Sequence, residues 1–172
     1  MMRNEADVLV ALQSVAADRP GVLPAARALS AFGEHALGWM GLAAVGAGLD
    51  TGRRARWLGV GASALASHAA SIAIKRVVRR RRPHDPRIRV GVSTPSQLSF
   101  PSSHATSTTA AAVAAAEVTR RRGPLLIVPV MMLSRMVLGV HYPTDVLAGT
   151  ALGAATAKLV MSRVARKERR TA

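Results

Sequence analysis

The feature that most constrains this chain is the segregation of its charge. Lysine and arginine gather near residues 53–56, 75–82, 120–122 and 163–170, and the stretches between are nearly uncharged and rich in Ala, Gly, Val and Leu. A soluble protein spreads charge over its surface, whereas charge confined to short connections between apolar stretches marks the ends of membrane helices. The formal net charge of +15 would otherwise point first to nucleic acid. Its clustering argues against that partner, and an aromatic content of 3% leaves few platforms for stacking bases.

Crossing a bilayer takes about 20 mostly apolar residues, fewer where neighbours bury a short helix. Five stretches approach that length: 35–49, 57–78, 104–118, 124–140 and 144–162. Ahead of them, 4–17 and 23–32 carry apolar residues at helical spacing interrupted by charges, with Pro20, Gly21 and Pro24 between. These read as amphipathic helices at the interface. The expected fold is therefore all-α, a polytopic membrane helical bundle of about five transmembrane helices plus N-terminal amphipathic helices.

Length, and the lack of any repeat or linker, give a single domain over 1–172. Within it, 1–34 form the amphipathic part, 35–162 the transmembrane core and 163–172 a basic tail suited to anionic lipid headgroups. Residues 1–18 hold Glu5, Asp7 and Asp18 and no continuous apolar core, so they do not read as a cleaved signal. There is no cysteine, hence no disulfide frame and no thiolate metal site. Gly149 and Gly153 have the spacing that lets helices approach closely, either within one chain or in a homo-oligomer. His68, inside an apolar stretch, reads either as functional or as a neutral imidazole bonded to a nearby serine or carbonyl.

With five spans, Arg53, Arg54 and Arg56, the 120–122 arginines and the tail share one side, which positive charge assigns to the cytoplasm. The connections 79–103 and 141–143 then face outward together. Arg79, Arg80 and Arg81 read mainly as a topology signal.

Three clusters fall in or beside those two connections. Lys75 and Arg82 are seven apart, almost in register on one helix face, and Pro83 ends or bends the helix. Two such cations can converge on an anion, the guanidinium as a planar fork and the ammonium as a compact charge. Pro101-Ser102-Ser103-His104 stands where an alanine-rich helix begins, and free N–H groups at a helix start attract anions. A Ser102 hydroxyl and amides around Ser103 would complete a cradle with His104 at its edge. Finally Arg135 adds a cation, and His141 precedes Asp145 by four residues, with Pro143 between. A carboxylate that fixes one imidazole nitrogen leaves the other free to attack.

The pattern Lys75-x6-Arg82-Pro83, Pro101-Ser102-Ser103-His104 and Ser134-Arg135-x5-His141-x3-Asp145 resembles the signature of the type 2 phosphatidic acid phosphatase (PAP2) superfamily. The resemblance implies a lipid phosphatase in which His141 is the phosphorylated nucleophile, Asp145 its orienting partner and His104 the acid for the leaving oxygen. Lys75, Arg82, Ser102, Ser103 and Arg135 would hold the phosphoryl oxygens, with no metal and no cofactor. Ser103 stands where the family usually has glycine, which is tolerable if its φ is negative.

Phe32-Gly33-Glu34-His35, Ile74-Lys75-Arg76-Val77-Val78, Ser99-Phe100-Pro101 and Ala105-Thr106-Ser107-Thr108-Thr109 resemble the small actinobacterial branch. That branch is associated with decaprenylphosphoryl-5-phosphoribose phosphatase, a step toward the arabinose donor of the cell wall. It implies a polyprenyl-linked sugar phosphate as substrate and the lipid bilayer as partner, while the outward placement of 79–103 and 141–143 puts the expected active site on the extracytoplasmic side of the plasma membrane. The alternatives are a polyprenyl diphosphate or phosphatidylglycerophosphate phosphatase on the same fold, and a non-catalytic lipid-binding membrane protein.

Overall fold

The computed structural model of the chain describes residues 2–171, so the end positions of the expected domain, 1 and 172, lie outside the described residues. Seven α-helices follow one another: α1 Met2–Ala16, α2 Val22–Gly33, α3 Leu37–Leu49, α4 Arg54–Val78, α5 Ser103–Thr119, α6 Ile127–Val137 and α7 Pro143–Thr171. Short 3-10 turns at Glu34–Ala36, Thr51–Arg53 and Gly123–Leu126 lead into α3, α4 and α6. Among the described residues the only strand-like pairing is an isolated bridge between Arg81 and Leu98.

Local chemistry sets the boundaries. Gly21, at φ 82°, takes the left-handed turn ahead of α2. Ser102 caps α5, its Oγ accepting from the Ala105 N–H at 3.4 Å. Pro143 opens α7 at a position where a missing N–H costs nothing.

α5 is the central helix, packed against α4, α6 and α7. Its burial extends round the whole helix, and alanines, serines and threonines allow this because none is bulky. α7 approaches through Gly149, where an added Cβ would lie 2.7 Å from the Ser102 carbonyl and 2.9 Å from Thr106 Oγ1. Gly149 and Gly153 therefore serve packing within one chain, since both face α5.

Polarity runs inside out relative to a soluble protein. Ser63, Ser67, Ser71 and Thr106 to Thr109 are buried, whereas Leu58, Leu65 and Ile72 on α4 and Val130 and Leu133 on α6 are exposed. Several of the inward hydroxyls bond back to their own helix, Ser63 to the Gly59 carbonyl at 2.7 Å and Thr106 to that of Ser102 at 2.7 Å. Helices can then pack without needing polar partners across the interface.

Among the described residues one helical stretch, Thr51–Val78, is long and apolar enough to cross a membrane; 123–137 is apolar but shorter. The expected stretch 124–140 ends as helix at Val137, because the chain must turn to present His141. The basic segment from 163 continues α7 to Thr171, and Glu168 within it pairs with Arg56 at 3.0 Å. α1 and α2 lie against α6, with Leu9 and Gln13 buried.

Candidate active site

Position 82 follows α4, whose left-handed cap at Arg79 turns the chain across the end of the bundle. Arg82 donates through Nε to the Ser96 carbonyl at 2.7 Å and through Nη1 to that of Val140 at 2.8 Å, and Nη1 lies 3.2 Å from His141 Nε2. Burial draws its guanidinium down to about 10, with Asp145 opposing, so it stays cationic at neutral pH.

His141 is buried in the connection between α6 and α7. Burial first, then the cations of Arg82, Arg135 and Lys75, hold its imidazole neutral well below the usual histidine range. Its Nδ1 is 3.6 Å from Asp145 Oδ2, ion-pair distance and beyond a hydrogen bond. Asp145 is fully buried in the first turn of α7, where Oδ2 accepts from the Tyr142 N–H at 2.8 Å. Catalytic hydrogen bonds are often this loose before substrate arrives.

His104 donates from Nε2 to the Ser30 carbonyl of α2 at 2.9 Å, which puts the proton on that nitrogen and leaves Nδ1 bare. Ser30 also accepts from Arg135 Nη1 at 2.5 Å through its Oγ. Arg135 is buried, and its Nε has no partner.

A cavity of about 350 Å³ joins His104, His141, Arg82, Arg135, Lys75 and Ser103 in its wall. The three sequence clusters thus meet in one place. Two expected phosphate ligands sit differently. All three N–H donors of Lys75 are directed at carbonyls, those of Leu98 (3.2 Å), Ser99 (2.9 Å) and Pro101 (2.7 Å), so its charge holds the segment before α5. Ser102 is buried, its Oγ serving the helix cap and its N–H donating to the Asp145 carbonyl at 3.0 Å. Ser103 lies outside the left-handed region, as tolerance of serine there requires, and its Oγ is 2.8 Å from Ser71 Oγ.

Sequence reasoning gave three residues no role in the site, reading Arg80 as a topology signal. Arg80 donates from Nη1 to Asp145 Oδ1 at 2.9 Å and Thr144 Oγ1 at 2.6 Å, and from Nη2 to Glu5 Oε2 at 2.5 Å. Its guanidinium lies 4.4 Å above the Tyr142 ring. Glu5 in turn accepts from Thr144 N and Oγ1. Ser30 is the third. Nothing in a run of four arginines separates Arg80 from its neighbours, and Glu5 and Ser30 lie 75 and 105 residues from their partners. Among the described residues no group of three or more His, Asp and Glu is gathered as a metal site.

A family model described as the PAP2 superfamily matches residues 56–169. A decaprenylphosphoryl-5-phosphoribose phosphatase of Mycolicibacterium smegmatis is 58% identical over 147 residues, covering 86% of this chain and 82% of that protein. One of the same name from Mycobacterium tuberculosis is 53% identical over 160 residues, covering 93% and 90%. In fold, the chain resembles the crystal structure of a transmembrane PAP2-type phosphatidylglycerolphosphate phosphatase from Bacillus subtilis, with a TM-score of 0.68 at 20% identity over 93% of this chain and 86% of that one. The three clusters, their convergence on one cavity and these matches place the chain in the PAP2 superfamily.

Proposed function

We propose that this protein is an integral membrane phosphatase that removes the 5-phosphate of decaprenylphosphoryl-5-phosphoribose. The substrate follows from relatives of that name at 53–58% identity over most of the chain. The observation that carries the chemistry is a buried His141, 3.6 Å from Asp145, that shares one cavity with His104, Arg82, Arg135 and Lys75.

His141 Nε2 attacks phosphorus as the bond to the ribose 5-oxygen breaks, and that oxygen takes from His104 the proton that its bare Nδ1 accepts from the phosphate monoanion as substrate binds. Water, giving its proton to His104, then cleaves the phosphohistidine and releases phosphate. Asp145 supports the positive charge that develops on the imidazole. Arg82 Nη1, now 3.2 Å from Nε2, is placed to move onto an equatorial oxygen, and the unpartnered Nε of Arg135 offers a second donor. Preformed positive charge is where phosphoryl transfer gains most of its barrier reduction. Lys75 and the Ser102 cap shape the cradle around Ser103, and the chemistry calls for no metal.

The chain is read as multi-pass. Leucines and valines exposed on α3, α4 and α6 suit lipid, and short α3 and α5 suit a bundle whose neighbours shelter them. Arg53, Arg54, Arg56 and the 120–122 arginines favour the cytoplasm, which leaves the cavity open to the extracytoplasmic side.

The test is phosphate release by purified protein from prenyl-phosphoribose phosphate, prenyl diphosphate, phosphatidylglycerophosphate and phosphatidic acid. Preference for the first by about tenfold or more, retained in EDTA and inhibited by vanadate, is the expected result. Faster hydrolysis of any of the others reassigns the substrate, and loss in EDTA with recovery in magnesium overturns the metal-free mechanism.

A further inference from the structure

The cavity is larger than its catalytic end needs. A water molecule's share of liquid volume is about 30 Å³, so about 350 Å³ leaves most of the space to something attached to the phosphoryl group. Glu34, His35 and His68 line that space beside the catalytic residues. The hydrolytic steps use none of them.

Two observations set this group apart. His35 and Ala36 both have left-handed backbone conformations, φ 50° and 62°. That region strains a residue with a Cβ, and such strain persists where surroundings impose it, often at ligand sites. The break between α2 and α3 brings the His35 ring to 5.8 Å from that of His68, centre to centre, and His35 Nε2 to 3.9 Å from Glu34 Oε1. Secondly, His68 Nδ1 is buried with no hydrogen-bond partner, although serines surround it on α4. Neither a serine nor a backbone carbonyl satisfies it. A buried ring nitrogen without a partner is unfavourable until something supplies one.

Helix geometry says what lies between the two ends. His68, Ser71 and Lys75 follow one face of α4, with His68 about 10 Å further along the axis from Lys75, toward the middle of the helix. Ser71 touches Ser103, whose helix start faces the phosphate end. A ligand with its phosphoryl group there would lay its next atoms beside His68, His35 and Glu34. A carboxylate that accepts and imidazoles that accept or donate form a surface for hydroxyl groups.

We propose that Glu34, His35 and His68 form a subsite for the hydroxyls of the sugar between the scissile phosphate and the lipid. It rests on the substrate reading above and explains how this chain selects a sugar phosphate over a phosphatidate or a prenyl diphosphate, which have no hydroxyls to place there. A site built to bond hydroxyls rejects ligands lacking them far more strongly than an apolar pocket rejects an extra group.

The test compares kcat/KM on prenyl-phosphoribose 5-phosphate and on phosphatidic acid for the wild type, His68→Ala, His35→Ala and Glu34→Gln. His68→Ala should lose about tenfold or more on the sugar substrate and stay within about twofold on phosphatidic acid. A 2,3-dideoxyribose analogue should cost the wild type a similar factor and cost His68→Ala little more. Equal loss on both substrates, or full sensitivity to the missing hydroxyls in His68→Ala, overturns the subsite. Failure of the substrate reading shows separately, as a wild type that prefers phosphatidic acid.

Discussion

Replacing Arg80 tests whether the catalytic dyad is held from outside the recognised motifs. Asp145 is fully buried, and its two oxygens divide the work: Oδ2 takes the Tyr142 amide and faces His141, while Oδ1 takes Arg80. Arg80→Ala removes the ion pair from Oδ1 and the link from Thr144 and Glu5. Leaving one partner of a buried pair uncompensated costs about 3–5 kcal/mol; with Arg80 19% exposed, water can partly replace it, so about 2–3 kcal/mol of stability is the expected loss. The carboxylate is then free to turn from His141, and misplacement by about 1 Å costs on the order of a hundredfold in rate. The assay is phosphate release under saturating lipid with a thermal melt in the same detergent. Arg80→Ala should lower kcat about a hundredfold with KM little changed, and Arg80→Lys should recover only part, because an ammonium cannot bridge Asp145 and Glu5 as a fork does. In an Asp145→Asn background Arg80→Ala should add little further loss of rate. A kcat within about threefold of wild type, or full additivity of the two changes, would refute the relay from Arg80 through Asp145 to His141.

His141→Ala should abolish turnover while leaving the fold intact, and His104→Ala should lower it severely; His141→Ala within about tenfold of wild type removes the histidine nucleophile from consideration. Because burial and nearby cations hold His141 neutral well below 6.5, its nucleophilic form persists as pH falls, so an activity loss centred at 6.5 would contradict that environment. Gly149→Ala places a Cβ 2.7 Å from the Ser102 carbonyl where ordinary contact begins at 3.4 Å, so α7 and α5 must separate by about 0.7 Å. Overpacking of this kind costs about 1–3 kcal/mol; Gly48→Ala, with open space around it, is the control, and equal melting temperatures for the two variants would disprove the close approach. For sidedness, single cysteines at Ser96 and Thr171 treated in intact cells with an impermeant maleimide should react at 96 and be protected at 171, and the reverse pattern puts the cavity on the cytoplasmic face.

Much of the catalytic end was legible because its residues are tied to helix boundaries that sequence marks well. Pro101 and Ser102 announce the start of α5, and Pro143 that of α7, so His104, His141 and Asp145 could be placed at one end of the bundle. What could not be read was the division of labour among like charges. Lys75 and Arg82 look equivalent in the sequence, yet three carbonyls converge on the ammonium, while the guanidinium reaches His141. The same holds for Arg79 to Arg82. The left-handed cap at Arg79 reverses the chain direction, and only then does one of four identical side chains meet a buried carboxylate. His68 misled in the opposite sense: neighbouring serines suggested partners, but those hydroxyls bond back to their own helix carbonyls, as Ser67 does to Ala64 and Ser71 to His68. Helix ends escaped at α6 and α7, where the stretch read as 124–140 is α-helix only over Ile127–Val137 and the one read as 144–162 runs on to Thr171, because hydropathy marks neither the turn that presents His141 nor a helix continuing through basic residues.

The N-terminal helices, wholly outside the family match, touch the catalytic end at several points. Glu5 of α1 fixes Arg80 and Thr144, Gln13 ties the Arg89 and Val137 carbonyls together at 2.7 and 2.9 Å, and Ser30 of α2 holds both His104 and Arg135. A bundle of α3 to α7 alone would carry every motif residue yet leave His104 Nε2 and Arg135 Nη1 without these partners. Both side chains would then gain rotameric freedom where phosphoryl transfer depends on fixed geometry. The amphipathic character of α1 and α2 follows from this duty: one side packs on α6 and the catalytic loops, while the other is exposed. On the proposed mechanism the motif residues supply the chemistry, and these two helices supply the restraint that keeps its donors and acceptors aligned.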